Sequence, residues 1–218
     1  ADATVDYSPA QTSSLYVGAN EITITVTAED GTTTKDYTVT VTREITTSYE
    51  IRDTGPAGGI IFYKDTENNY PWTYLEAAPV STEWTDKKWG ADRTEIGDNV
   101  QLTWIGYGQP ATDAIVQYLD NNTYETGRAA QLCDALEHDH DGTTYSDWFL
   151  PSKDELDKMY VNLHQAGVGG FADDIYWSST EYDEDNSDLL AWMRNFLTST
   201  QIGSPKSGGL RVRAVRAF

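Results

Sequence analysis

Two runs of acidic and polar side chains are the first places to look for chemistry in this sequence. In Glu137-His138-Asp139-His140-Asp141-Gly142, the acids and the glycine fall on the first, third, fifth and sixth positions of an EF-hand calcium loop. The twelfth position of such a loop must supply a bidentate glutamate, and here it is Trp148, so the signature fails. His138 and His140 offer imidazoles to zinc, but a zinc site needs further ligands and the sequence names none. The run is expected to be a solvated acidic loop. Glu181, Asp183, Asp185, Asn186 and Asp188 form the better calcium candidate, because a hard cation takes several oxygen ligands.

Catalytic patterns are scarce. Cys133 is the single cysteine, so no intramolecular disulfide can form. Its neighbours Ala129, Ala130, Leu132 and Leu136 suggest a helix face that buries an inert thiol. No Gly-x-Ser-x-Gly elbow occurs. With 35 acidic residues, chance pairs of carboxylates are expected and do not by themselves argue for glycoside hydrolysis. The chain reads as a non-enzymatic protein without a cofactor, apart from the calcium candidate.

The charge balance sets the partners. Fifteen Lys and Arg against 35 Asp and Glu give a formal charge of -20, a field that repels nucleic acid, sulfated polymers and anionic lipid. Seven Trp and 14 Tyr suffice both for a packed core and for a binding surface, since rigid aromatic rings give large contact area at little entropic cost. No apolar run approaches the roughly 20 residues of a membrane span. The start at Ala1-Asp2, without a Met or a leader, suggests a mature piece or a fragment.

The elements that must position these residues fall into two zones. In residues 1–44, Glu21–Ala28 and Lys35–Arg43 alternate β-branched residues with Thr or charge, the period of a strand. Asp30-Gly31 between them predicts a tight hairpin turn, and a third short strand is expected around Ala3–Tyr7. After a joining piece at 44–49 the composition changes. Gly55-Pro56-Ala57-Gly58-Gly59 leads into Ile60-Ile61-Phe62-Tyr63 and reads as a turn entering a sheet, not a phosphate loop, because no helix follows it. One helix is predicted at about Thr112–Leu119, with Arg128–Glu137 either continuing it after a break or standing as a separate helix, and another after Ser152, where Ser152 and Glu155 make a capping box. The segment Arg211–Phe218 reads as one strand with an apolar face. Residues 173–188 carry seven acids and no base, residues 189–218 five bases and no acid, so neighbouring strands there should attract.

Residues 15–32 and the Tyr-Thr-Val-Thr-Val strand at 37–41 resemble the second half of a cadherin-like β-sandwich repeat of bacterial surface proteins. Five further blocks, in order, resemble the C-terminal domain family of a bacterial collagen-like adhesin, a branch of the C-type-lectin-like fold. They are residues 55–63, Tyr74-Leu75-Glu76-Ala77-Ala78-Pro79, residues 147–156, Tyr176-Trp177-Ser178-Ser179-Thr180-Glu181 and residues 211–218. The resemblance implies an α+β protein. Residues 50–218 would form a C-type-lectin-like domain, two helices on a twisted, mostly antiparallel sheet with its first and last strands adjacent, preceded by a partial sandwich module at 1–44.

The same resemblance extends to variable proteins diversified by retroelements, whose exposed C-terminal residues meet new targets. It implies an extracellular or cell-surface protein that binds a protein or glycan through Asp183, Asp185, Asn186, Asp188, Trp192, Arg194, Phe196 and Thr198, with Phe171, Trp177 and Phe218 in the core. The sugar-binding motifs Glu-Pro-Asn and Trp-Asn-Asp of the fold are absent, as is the cysteine pair of its formylglycine-generating branch. A heparin-like ligand would require Arg194, Lys206, Arg211 and Arg213 to form a basic patch. The alternative is a structural or oligomerising surface module with calcium-stabilised loops.

Overall fold

A computed structural model describes residues 4–8, 18–43, 48–122, 125–182 and 188–218. The chain divides into two compact units, Ala1–Ser48 and Tyr49–Phe218. The first contains β1 (Thr4–Ser8), β2 (Gly18–Thr27) and β3 (Thr34–Arg43), an antiparallel sheet in the order β1-β2-β3. Pairing of Ile22 with Val39 and of Ile24 with Tyr37 puts the apolar residues of β2 and β3 on one face, as the period of two requires. The hairpin connection is longer than the expected tight turn, because β2 and β3 are last paired at Thr27 and Thr34. Asp30 organises it: its carboxylate accepts the N–H groups of Thr32 and Thr33 and the Thr33 hydroxyl. Those bonds, chiefly from Thr33, hold the carboxyl down at about 2.

The second unit is a mixed α+β structure. Its elements are β4 (Ile60–Lys64), β5 (Tyr74–Ala77), β6 (Trp84–Lys87), α1 (Gly108–Asn122), α2 (Ala129–Asp134), β7 (His138–His140), β8 (Thr143–Tyr145), α3 (Lys153–Asn162), β9 (Ile175–Glu181), β10 (Leu190–Asn195), β11 (Gln201–Pro205), β12 (Leu210–Val212) and β13 (Val215–Ala217). A five-stranded sheet runs β11-β10-β9-β12-β6, antiparallel except between β9 and β12. A three-stranded antiparallel sheet runs β13-β5-β4, and β7 and β8 form a hairpin.

β9 decides the architecture. Its residues Tyr176 to Glu181 are buried on both faces, and successive side chains point to opposite sides. Trp177 joins Trp89, Ile115, Leu119, Cys133, Trp148 and Val212 in one core. Tyr176 joins Phe62, Leu75, Leu156, Met159, Phe196 and Val215 in the other. Cys133 is fully buried, and burial pushes its thiol well up. α3 starts as its capping box requires: Ser152 Oγ accepts the Glu155 N–H, and Glu155 Oε2 accepts the Ser152 N–H at 2.7 Å.

Three expectations are corrected. Three α-helices are described instead of two. The first and last strands of the unit, β4 and β13, do not pair with each other but flank β5. The segment 211–218 is not one strand with an apolar face. It breaks between β12 and β13, which belong to different sheets, because Arg213 and Arg216 turn inward to buried carboxylates.

Candidate functional site

β10 presents alternate residues to its two sides. Ala191 and Met193 pack into the core that contains Trp177, whereas Arg194 pairs with Tyr176 and lies over α3. Trp192, on the α3 side, pairs with Gly203 of β11. Gly203 must be small there, since an added Cβ would lie 2.8 Å from the Tyr182 ring. The vacant space lets Tyr182 lean on Trp192, with ring centroids 4.8 Å apart and planes tilted by 41°. On Trp192 also sits the ammonium of Lys153, 3.9 Å from the ring centroid, a favourable cation–π distance.

The scaffold fixes Lys153 at the first turn of α3. Its N–H donates to Thr180 Oγ1 at 3.0 Å, and its carbonyl accepts Gln201 Nε2 at 2.8 Å. Ser152 Oγ donates to the Trp104 carbonyl at 2.8 Å, which brings a second indole, 61% exposed, to the same helix start. Trp104 meets Tyr107 edge to face, with centroids 5.7 Å apart. The result is an aromatic surface carrying the Lys153 ammonium, which makes no ion-pair contact among the described residues and acts on the neighbouring Asp154 carboxyl only through space.

The residues expected to touch a ligand are distributed unevenly. Trp192 is half-buried, and Asp188 and Thr198 are exposed. Asp183, Asp185 and Asn186 lie outside the described residues. Two expectations fail. Arg194 is 8% exposed, bound to Asp157 Oδ1 at 2.7 Å and stacked on Tyr160 at 4.2 Å. Phe196 is 1% exposed, packed against Tyr160, His164, Phe171 and Tyr176. Both face α3 and serve packing. Sequence reasoning missed Trp104, Lys153 and Tyr182, which belong to loops and a helix start whose proximity to β10 is a tertiary fact. It also missed Leu197, 67% exposed in the turn after β10.

Glu181 is not an outward calcium ligand. Its side chain is fully buried and ion-paired with the equally buried Lys206, and its carboxylate accepts the Ile96 N–H. Lys206 also donates to the Thr94 carbonyl at 2.6 Å and lies 4.9 Å from the Trp89 ring centroid. Burial raises the Glu181 carboxyl and lowers the Lys206 ammonium, and each partner opposes the other's shift. The pair ties the loop at 94–96 to β9.

The basic patch is dismantled in the same way. Arg211 binds Glu83 at 2.8 Å and Asp174 at 2.7 Å. Arg213, 2% exposed, grips Glu83 and donates to the carbonyls of Ala78 and Gly169. Tyr176 adds its hydroxyl to Glu83 at 3.0 Å, and burial raises its pKa. With Arg194 on Asp157 and Lys206 on Glu181, all four cations are neutralised internally. Of the pairs among the described residues, only Arg211–Asp174 and Lys206–Glu181 join the acidic and basic stretches; Arg194, Arg213 and Arg216 bind carboxylates from elsewhere in the unit.

The Gly55–Gly59 turn wraps a buried carboxylate. Glu76 accepts the N–H groups of Ala57 and Gly59 and faces Arg216, which is itself bidentate to Asp147. Burial raises the Glu76 carboxyl, against the pull of those donors. The run Glu137–Gly142 is a hairpin, not a loop. Its two-residue turn takes φ of 48° at Asp141 and 77° at Gly142, the mirror-image geometry that Asp-Gly favours. His138 and His140, two apart in β7, share a face, but among the described residues no three His, Cys, Asp or Glu side chains gather to hold a metal.

No helix among the described residues is long and apolar enough to cross a membrane. No curated protein matches the chain. Residues 2–44, which include all three strands of the first unit, match the family model of the cadherin-like beta sandwich domain.

Proposed function

We propose that the chain is a non-enzymatic, extracellular binding protein. In this reading residues 50–218 are a C-type-lectin-like domain that holds a protein or glycan on the surface around Trp192. Its carrying observation is the clamped indole: Trp192 lies between Lys153 and Tyr182 over a glycine-cleared strand, beside the exposed Trp104. Rigid, partly desolvated aromatics ringed by polar side chains are the usual anchors of a binding surface. The cadherin-like segment supports a surface setting, since such domains are typical of extracellular proteins. Diversification of this surface would fall on Trp192, Thr198 and their exposed neighbours and would spare Arg194 and Phe196.

The test is a screen of the chain against glycan and surface-protein arrays, with and without chelator, followed by Trp192→Ala. A hit that weakens about tenfold or more in the variant, with circular dichroism unchanged, supports the reading. A hit indifferent to Trp192→Ala and Lys153→Ala removes this surface from consideration. Chelator sensitivity would assign calcium to Asp183, Asp185, Asn186 and Asp188, without Glu181.

A further inference from the structure

α1 commits one stripe to the core, with Ala111, Ile115 and Leu119 fully buried. Ala114, Gln117, Tyr118 and Asn121 follow one another at spacings of three, one and three, so they share a neighbouring stripe of the helix. This stripe faces a short 3-10 turn, Asp98–Val100, across a cleft of about 530 Å³, inside the range of about 300–1,000 Å³ usual for small-molecule sites. The opposite wall is rigid. Glu181 pins Ile96 by its N–H, Val100 is fully buried, and the Val100 N–H donates to the Gly97 carbonyl at 3.1 Å.

The amides of this cleft differ from the amides around them. Gln101, Gln109 and Gln131, outside the cleft, and Asn122 at its edge each spend their side-chain N–H on an oxygen of the protein. The side chains of Asn99, Gln117 and Asn121 line the cleft with no hydrogen-bond partner among the described residues, and the Asp98 carboxylate, also in the lining, has none either. Ala114, Ile96 and the half-buried Tyr118 supply an apolar floor.

We propose that this cleft binds a neutral saccharide. A carboxamide donates and accepts at once, which matches a sugar hydroxyl, and an apolar floor suits the C–H face of a pyranose ring. Asp98 can accept from hydroxyls. No cation lines the cleft, and the chain carries a formal charge of -20, so phosphate, sulfate and uronate ligands are disfavoured. No residue of β9, β10 or β11 lines the cleft, and Trp192 lies outside it.

The experiment is titration calorimetry of the whole chain with cellotetraose, maltotetraose, xylotetraose, mannotetraose and chitotetraose, and with tetragalacturonate as the acidic control. At least one neutral tetrasaccharide should bind and tetragalacturonate should not. Asn99→Ala and Gln117→Ala, both at exposed positions, should each weaken binding about 5–10-fold, the loss of one or two hydrogen bonds. Ala114→Trp should abolish it by filling the cleft, and Trp192→Ala should leave it unchanged, with circular dichroism verifying every variant. No binding of any neutral probe at about 10 mM overturns the cleft and leaves the Trp192 reading standing. Binding that responds to Trp192→Ala but not to Gln117→Ala also overturns the cleft and supports that surface.

Discussion

Glu155 enters α3 with no ion-pair partner among the described residues to balance its charge. Its carboxylate accepts N–H groups from Ser152 and Gly106, yet burial outweighs them and pushes its carboxyl up to about 7, from 4.5 in an open chain. A raised carboxyl favours the fold only while it remains protonated. Its contribution is fully present below about 4.5, falls as the unfolded chain ionises first, and levels off above about 7. The swing is about 3 kcal/mol at roughly 1.4 kcal/mol per pH unit. Urea denaturation of the wild type and of Glu155→Gln at pH 4.5 and 7.5 should show the wild type losing stability relative to the variant; equal losses would contradict the shifted carboxyl. The sequence marks Glu155 as a helix cap, because the pattern Ser-x-x-Glu is local. It gives no sign that the cap is buried, nor that Glu181 and Lys206 are a sealed pair, since both residue types ordinarily sit in water.

Among elements, the turn at 55–59 is specified by what it encloses. An added Cβ at Gly59 would lie 2.1 Å from the Ala77 carbonyl oxygen on the neighbouring strand, with no flexible side chain to yield. Gly142 has positive φ but nothing within 4 Å of such a Cβ. Gly59→Ala should therefore cost about 3 kcal/mol or more, and Gly142→Ala only about 1–2 kcal/mol from the backbone alone. Thermal melts of the two variants check the order, and equal shifts would deny the close approach. Strands in 21–43 and the helix after Ser152 are legible from sequence because alternation and capping are short-range signals. The break within 210–217 is not. Arg211-Val212-Arg213 alternates like a strand with one apolar face, and the parity slip at Val215-Arg216 does not say where the chain turns, since the carboxylates that draw Arg213 and Arg216 inward, Glu83 and Glu76, stand 130 and 140 positions earlier. The Trp192 surface is half legible for the same reason: β10 announces its indole, but Lys153, Tyr182 and Trp104 gather only in the fold.

At the scale of the molecule the two units differ in how they are held. The second has two cores divided by β9, with ion pairs sealed at its edges. In the first, no residue from 21 to 42 is fully buried, and Tyr37 and Val39 are 48% and 45% exposed. A three-stranded sheet with one face uncovered is near the lower limit of independent stability. Limited proteolysis of the whole chain should therefore degrade residues 1–48 first and leave a persistent fragment beginning near Tyr49, identified by mass spectrometry. Initial cleavage within 60–180 would place the weak point in the second unit instead.

The inward-turned arginines also bear on the order of events during synthesis. Glu76 and Glu83 leave the ribosome long before Arg213 and Arg216, and without those cations their burial would strand two charges in a dry interior. The second unit is thus expected to close only once 211–216 have emerged, which ribosome-bound chains ending at residues 210 and 218 would distinguish by their protease resistance. β12 and β13 act as a latch on the second unit, which is expected to stay open until they have been made.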